Sequence, residues 1–155
     1  MLVEDSFTVK VPVGIAWDFI SNPEKFGSCL PGCERVRAID QKTFECLIKQ
    51  KIAGLSVKFK LVISLLAVNP PYHIESIVNG GDLGKAGTVA QKNSMDLTEM
   101  GASETMIRYR SDISISGKLA LFGEKSIHTK AKRMAEEFIQ TLKTKIESAA
   151  GPENA

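Results

Sequence analysis

Hydrophobic residues follow a period of two over most of the chain up to residue 116. The clearest run comes after Gly54, where every second residue from Leu55 to Leu65 is apolar and mainly lysine and serine stand between them. This alternation indicates a β-strand with one buried and one solvated face. The same pattern, bounded by turn residues, predicts seven strands, at 3–11, 33–39, 43–52, 55–68, 72–80, 88–98 and 104–116.

Two short helices and one long helix complete the pattern. Pro12 is suited to begin a helix over 12–20, and Asn22 is suited to cap a second helix over 23–30. From Lys118, apolar residues recur every roughly 3.6 residues, which predicts a helix that continues to about Ala150. Its apolar face carries Ile127, Ala131, Met134, Phe138, Leu142 and Ile146.

The order of these elements predicts the fold. An antiparallel sheet with one apolar face needs a covering layer, and only the long helix is large enough to provide it. We therefore expect an α+β fold in which a seven-stranded antiparallel sheet curls around the C-terminal helix. The two short helices should lie between strands one and two. Residues 1–150 should form one domain, and 151–155 a short tail.

Composition and charge narrow the class of protein. The chain has 155 residues, 43% of them hydrophobic, and a net charge of +2. So small a charge, without basic residues interleaved with aromatic ones, indicates that the chain does not bind nucleic acid. The sequence contains no run of roughly 18 apolar residues and no signal-peptide pattern at its N-terminus. We therefore expect a cytoplasmic protein whose three cysteines stay reduced.

The segment SCLPGCERV, residues 28–36, raises the question of chemistry at Cys29 and Cys33. Three interpretations stay open: small buried residues beside a Pro-Gly turn, a reactive pair, or metal ligands. Structural zinc needs four ligands, and there is no second pair to supply them, so we expect no metal and no cofactor. His73 and His128 stand apart from any nucleophile, and we assign no catalytic residue.

The predicted inner face of the sheet carries polar residues among apolar ones. Gln91 and Asn93 share a face with Val89 and Met95 on one strand, and Ser111 shares one with apolar residues on the next. Buried polar groups must meet each other, water or a ligand. We expect a ligand cavity lined by Phe59, Leu61, Val89, Gln91, Asn93, Met95, Ile107, Tyr109, Ser111, Ile127, Ala131, Met134 and Phe138. The alternatives are that these polar groups satisfy one another at a sheet edge or that a bulge rotates them outward.

The start of the predicted long helix combines apolar and basic residues. Such a segment suits an anionic membrane surface or an acidic partner, so we expect a contact there. The contact residues would be Lys118, Leu119, Leu121, Phe122 and Lys125. The alternative is that the leucines close one end of the core while the lysines are solvated.

Three segments carry a family resemblance: FTVKVPVGIAWDFISNPEKFGSCLPGCERV, LAVNPPYHI and GKLALFGEKSIHTKAKRMAEEFIQTL. Together with the element order, they resemble the helix-grip (START-like, polyketide cyclase-like) superfamily. Within that superfamily they resemble the G-subunit family of carbon monoxide dehydrogenase, over about residues 1–148.

The resemblance implies a non-catalytic protein that binds a hydrophobic small molecule, such as a lipid or a quinone. It also implies an accessory role to a molybdenum carbon monoxide dehydrogenase-type enzyme, with peripheral contact at the inner membrane face. The alternative is a cyclase- or aromatase-like enzyme that uses the same cavity. Such an enzyme would need a titratable residue inside, and Tyr109 is the one candidate among the predicted inward residues.

Overall fold

The computed structural model describes residues 1–52 and 54–150. In this part of the chain the strands are β1 (Leu2–Val9), β2 (Cys33–Ala38), β3 (Thr43–Ile52), β4 (Leu55–Asn69), β5 (His73–Asp82), β6 (Thr88–Glu99) and β7 (Thr105–Ser116). The helices are α1 (Val13–Ile20), α2 (Pro23–Gly27) and α3 (Glu124–Ala150), with a 3-10 helix at Gly117–Phe122. The predicted tail at 151–155 lies outside the described residues, so the domain boundary stays a prediction.

The strands form one antiparallel sheet in the order β1-β7-β6-β5-β4-β3-β2. Each strand from β2 to β7 pairs with its neighbour in sequence, while β1 pairs with β7, so that Leu2 faces Asp112 and Val9 faces Thr105. α1 and α2 therefore connect one edge of the sheet to the other. The predicted α+β helix-grip architecture, a seven-stranded sheet curled around the long helix, is confirmed.

The long helix begins later than the sequence pattern predicts. The helix expected from Lys118 starts at Glu124, because Gly123 has a φ of +88° and separates α3 from the 3-10 helix. The 3-10 helix is held against the loop after β5, where the Leu119 amide donates to the Ala86 carbonyl at 2.8 Å. A Cβ at Gly117 would lie 2.8 Å from the Gly87 Cα, so this contact requires glycine.

The short helices follow the prediction with small changes at their ends. The Asn22 side chain accepts a hydrogen bond from the Lys25 amide at 3.1 Å, which confirms it as the cap of α2. α2 ends at Gly27 and not at residue 30, and Pro31 disfavours a helical conformation at the residue before it.

The second half of α3 packs into the largest buried cluster. Its residues Phe138, Leu142 and Ile146 contact a core that includes Val9 and Trp17. A second cluster, around Val57, Phe59, Val89 and Leu119, lies at the other end of the inner face. A third, around Phe44, Ile48 and Ile63, belongs to β3 and β4. The first half of α3 passes over the space between these clusters, and the candidate site lies there.

Candidate ligand cavity

A cavity of about 230 Å³ lies between the inner face of the sheet and the first half of α3. A single water needs only roughly 10–15 Å³ by the same measure, so the space admits a ligand of many atoms. Its walls are mainly aliphatic and aromatic side chains from β3 to β7, α2 and α3. A mainly apolar cavity with a few polar groups is the usual composition of a small-molecule site.

Most of the residues predicted for the cavity lie on its walls. Eleven of them line it: Phe59, Leu61, Val89, Gln91, Asn93, Met95, Tyr109, Ile127, Ala131, Met134 and Phe138. They come from β4, β6, β7 and α3, and the period-two and helical patterns bring them together because both elements turn their apolar faces inward. Their role in binding a ligand stays a prediction.

Ile107 and Ser111 do not line the cavity, contrary to the prediction. Both are fully buried. Ile107 packs in the cluster that surrounds the second half of α3. Ser111 faces Asn93 across the strand pair and donates a hydrogen bond of 2.6 Å from its hydroxyl to the Asn93 side-chain oxygen. The alternation of β7 correctly turns both residues inward, but the cavity does not extend along the whole inner face.

The polar groups of the inner face form a short chain across three strands. Asn93 lies directly between Ser76 on β5 and Ser111 on β7 in the strand register. Its oxygen accepts from Ser111, and its amide nitrogen donates to the Ser76 hydroxyl at 3.4 Å. For Asn93 and Ser111, the alternative that the inward polar groups satisfy one another is correct, and Ser76 is an additional partner. The Gln91 amide also lines the cavity, and it makes no side-chain hydrogen bond to any residue that the structure describes.

Tyr109 contributes a phenol group to the cavity wall. Burial raises the pKa of its phenol, and a hydrogen bond to Ser111 opposes this shift with a smaller effect. The phenol is therefore neutral at physiological pH and can act as a polar contact, but it is poorly suited to act as a general base. Its ring centroid lies 6.1 Å from that of Phe138, a buried residue that also lines the cavity.

The short helices and the turn after them contribute residues that the sequence pattern did not assign to the cavity. Ile20 from α1 and Phe26 from α2 line it, together with Leu30 and Pro31 after α2. The rings of Phe26 and Phe138 meet edge to face, 5.1 Å apart, so α2 closes the cavity beside α3. A helix of five residues has too little periodicity to show which side faces inward, so no sequence signal could have placed it.

Lys130 is a second cavity residue that the sequence pattern did not indicate. It is partly buried and lines the cavity from α3. It follows Ile127 by three positions and precedes Met134 by four, so helical spacing alone would have placed it on the inward side. The apolar pattern excluded it because lysine is charged.

The predicted contact segment divides into buried and exposed residues. Leu119 is only 1% exposed and packs against Val57 and Phe59, so its prediction as a membrane contact is wrong. Leu121 is 84% exposed, whereas Phe122 is partly buried against the same cluster. Lys118 and Lys125 are exposed.

Other loops at the same end of the sheet add to this segment. Leu55 begins β4, and Leu83 and Lys85 lie in the loop between β5 and β6, which contacts the 3-10 helix. All three are exposed. We call the group of Leu55, Leu83, Lys85, Lys118, Leu121 and Lys125 the Leu121 surface. None of the described helices is both long and apolar enough to cross a membrane.

The three cysteines are free thiols, with Cys33 packed against the cluster that contains Cys46 and Cys29 in another cluster. Cys29 and Cys46 are buried, and Cys33 is partly buried. Burial raises the pKa of all three thiols, and that of Cys46 to about 12, so none is activated as a nucleophile. Within residues 1–52 and 54–150, no group of three or more histidine, cysteine, aspartate or glutamate side chains is placed to hold a metal ion.

His73 lies on the outer side of the sheet, away from the cavity. Its ring nitrogens lie 2.6 Å from an Asp96 oxygen and 3.1 Å from a Glu75 oxygen. These hydrogen bonds, first to Asp96 and then to Glu75, raise the pKa of His73. The imidazole is thus an ion-pair partner of two carboxylates at the surface. His128 is exposed on α3.

Comparison with known sequences identifies one family. The sequence model of the family described as the G subunit of carbon monoxide dehydrogenase (CoxG) matches residues 6–147. No curated protein sequence is similar enough to count as a match.

Solved structures share the fold. A conserved protein from Geobacillus kaustophilus is 23% identical, with a TM-score of 0.87 over 96% of this chain and 97% of that one. The ZhuI aromatase/cyclase from Streptomyces sp. R1128 is 12% identical, with a TM-score of 0.76 over 100% of this chain and 98% of that one. A START superfamily protein from Mycobacterium smegmatis is 14% identical, with a TM-score of 0.73 over 95% and 97%. These likenesses extend to the fold alone.

Proposed function

Because the chain belongs to the CoxG family of carbon monoxide dehydrogenase, we propose that it is a non-catalytic accessory protein that carries a lipid or quinone-like molecule in its cavity. The observation that carries this proposal is an apolar cavity of about 230 Å³ with the Gln91 amide on its wall. Apolar walls favour a hydrophobic body, and a polar group of the ligand would meet Gln91 or Tyr109 inside.

A titration with a fluorescent quinone analogue tests the cavity. Met134→Trp places a larger side chain in the binding space, so we expect the affinity to fall at least about tenfold. Met100→Trp is the matched control, since Met100 is 52% exposed in the turn between β6 and β7. Equal affinity in the two variants would contradict the proposed site. Mass spectrometry of an organic extract of the purified protein would identify a co-purified ligand.

The accessory role includes a partner and a membrane. Family membership supports a molybdenum carbon monoxide dehydrogenase-type enzyme as the partner. The Leu121 surface supports contact with an anionic bilayer, because exposed leucines can enter the interface while lysines face the headgroups. A protein of this design would bring its enzyme to the membrane and exchange its hydrophobic ligand there.

Flotation with vesicles tests the membrane contact. The native chain should float with vesicles that contain anionic lipid, and less with neutral ones. Leu121→Ser should reduce flotation, whereas Met100→Ser, which removes an exposed apolar side chain elsewhere, should not. Equal flotation of both variants would contradict the role of the Leu121 surface. Co-elution with a purified molybdenum carbon monoxide dehydrogenase tests the partner.

A second candidate is a cyclase- or aromatase-like enzyme. It is favoured by the fold shared with the ZhuI aromatase/cyclase and by polar groups on the cavity wall. The cavity lining of the described residues holds no carboxylate and no imidazole, and the pKa of Tyr109 is raised. These features of the lining support ligand binding more strongly than they support catalysis by proton transfer at neutral pH. Incubation with a linear polyketide mimic, followed by mass spectrometry for loss of water, separates the two functions.

A further inference from the structure

Lys130 is the one charged side chain on the cavity wall among the residues that the structure describes. It is partly buried, and its neighbours in the lining from the same helix, Ile127, Ala131 and Met134, are apolar. A lysine at such a position can extend its ammonium to water while its hydrocarbon stem covers the wall. It can also offer that ammonium to a ligand.

Lys130 has no acidic partner within the described part of the chain. It takes part in none of the ion pairs found there. The positions three and four residues away on α3, where a helical partner would stand, hold Ser126, Ile127, Arg133 and Met134. The positive charge beside the apolar cavity is therefore not neutralised by the protein.

The surroundings of Lys130 reinforce its positive potential. Between residues 118 and 133, Lys118, Lys125, Lys132 and Arg133 accompany it, and Glu124 is the one acid. Basic residues grouped at one end of a helix attract an anion and raise its local concentration.

Resting on the proposed binding function, we infer that the ligand is a hydrophobic carboxylic acid whose carboxylate pairs with Lys130. The hydrocarbon body of the ligand extends inward along Met134 and the apolar walls of the cavity. Lys130 is a specificity-determining residue, because it distinguishes an acid from a neutral molecule of the same shape. This narrows the ligand class from lipids and quinones in general to amphipathic acids.

The test compares a polyene fatty acid, cis-parinaric acid, with its methyl ester, which has the same chain and no charge. Both fluoresce on binding and are titrated into the full-length protein. We expect the native chain to bind the acid roughly tenfold more tightly than the ester. Lys130→Met keeps a long apolar side chain and removes the charge, so it should lose the acid's advantage and keep the ester's affinity.

Two variants serve as controls for Lys130→Met. Lys132→Met removes an exposed charge two positions away and should behave like the native chain. Lys130→Arg keeps the charge and should retain the preference for the acid.

Three outcomes separate this inference from the proposed function. Equal affinity of the native chain for acid and ester overturns the role of Lys130 and leaves the cavity as a binding site. An acid preference that persists in Lys130→Met also overturns it, because the charge then acts from elsewhere. If the native chain binds neither probe nor the quinone analogue, both the inference and the proposed function are overturned.

Discussion

The two halves of α3 continue one apolar stripe but meet different surroundings. In the second half, Phe138, Leu142 and Ile146 are 4%, 0% and 0% exposed and pack in the largest cluster. In the first half, Ala131 and Met134 are partly exposed and face the cavity. Identical spacing thus produces a packed core at one end and a binding space at the other.

The difference comes from the elements opposite each half. α1 supplies Trp17 and Phe19 beside the second half of α3, and these large side chains complete its packing. In the described part of the chain no comparable helix lies beside the first half, where the 3-10 helix contributes Leu119 at its edge. In this chain the cavity therefore lies where no second α-helix packs against the first half of α3 among the described residues.

The largest expected effect is a difference in stability between the two halves. Leu142→Ala removes a fully buried side chain and should lower the free energy of unfolding by about 3 kcal/mol. Met134→Ala should cost roughly 1 kcal/mol, because a side chain beside the cavity has fewer contacts to lose. Urea unfolding of both variants measures the difference. Equal losses would show that the first half is packed as tightly as the second.

Buried hydroxyls allow a second comparison of the two regions. Thr105 is fully buried and donates to the Val11 carbonyl at 2.9 Å in the packed region. Thr105→Val leaves that carbonyl without this partner and should cost about 1–3 kcal/mol. Ser111→Ala should cost less, about 1 kcal/mol, because water from the cavity can replace the lost bond to Asn93. Thermal unfolding measures the stability loss of each variant. A larger loss in Ser111→Ala than in Thr105→Val would contradict the proposed difference between the packed region and the cavity.

The smallest effect concerns His73, which belongs to neither half. Its pKa is raised in the folded chain above the ordinary value of 6.5 by Asp96 and then Glu75. Protonated His73, paired with these carboxylates, therefore stabilises the folded chain fully below pH 6.5. This contribution to the free energy of unfolding is lost as the pH rises through the folded-state pKa of His73. His73→Gln should remove this part of the pH dependence of the unfolding midpoint. Ligand affinity should be unchanged, and a change in affinity would show that the two regions are coupled.

The sequence predicted the sheet and α3 well because their patterns are long. The alternation of β4 and β6 places Phe59, Val89 and Gln91 on the inner face, and all three line the cavity. The extent of the cavity could not be predicted, since it depends on how far α1 and α2 cover the sheet. Ile107 therefore proved to be core, although its position in the alternation matches that of Tyr109.

Leu119 shows a second limit of sequence reasoning. Its neighbours Leu121 and Phe122 have similar hydropathy, and the pattern predicts a regular α-helix through all three. The 3-10 geometry, fixed by Gly117 and Gly123, turns Leu119 inward and Leu121 outward. Lys130 escaped prediction for the opposite reason, because a charged residue does not count as part of an inward face.

The positions of the buried thiols have a consequence for measuring motion. Cys29 belongs to the packed cluster around α3, whereas Cys46 belongs to the cluster on β3 and β4 beside the cavity. An alkylating reagent reaches either sulfur only when its surroundings open, so the two modification rates, separated by peptide mapping, report local opening on each side independently. Binding of a ligand should slow the modification of Cys46 more than that of Cys29.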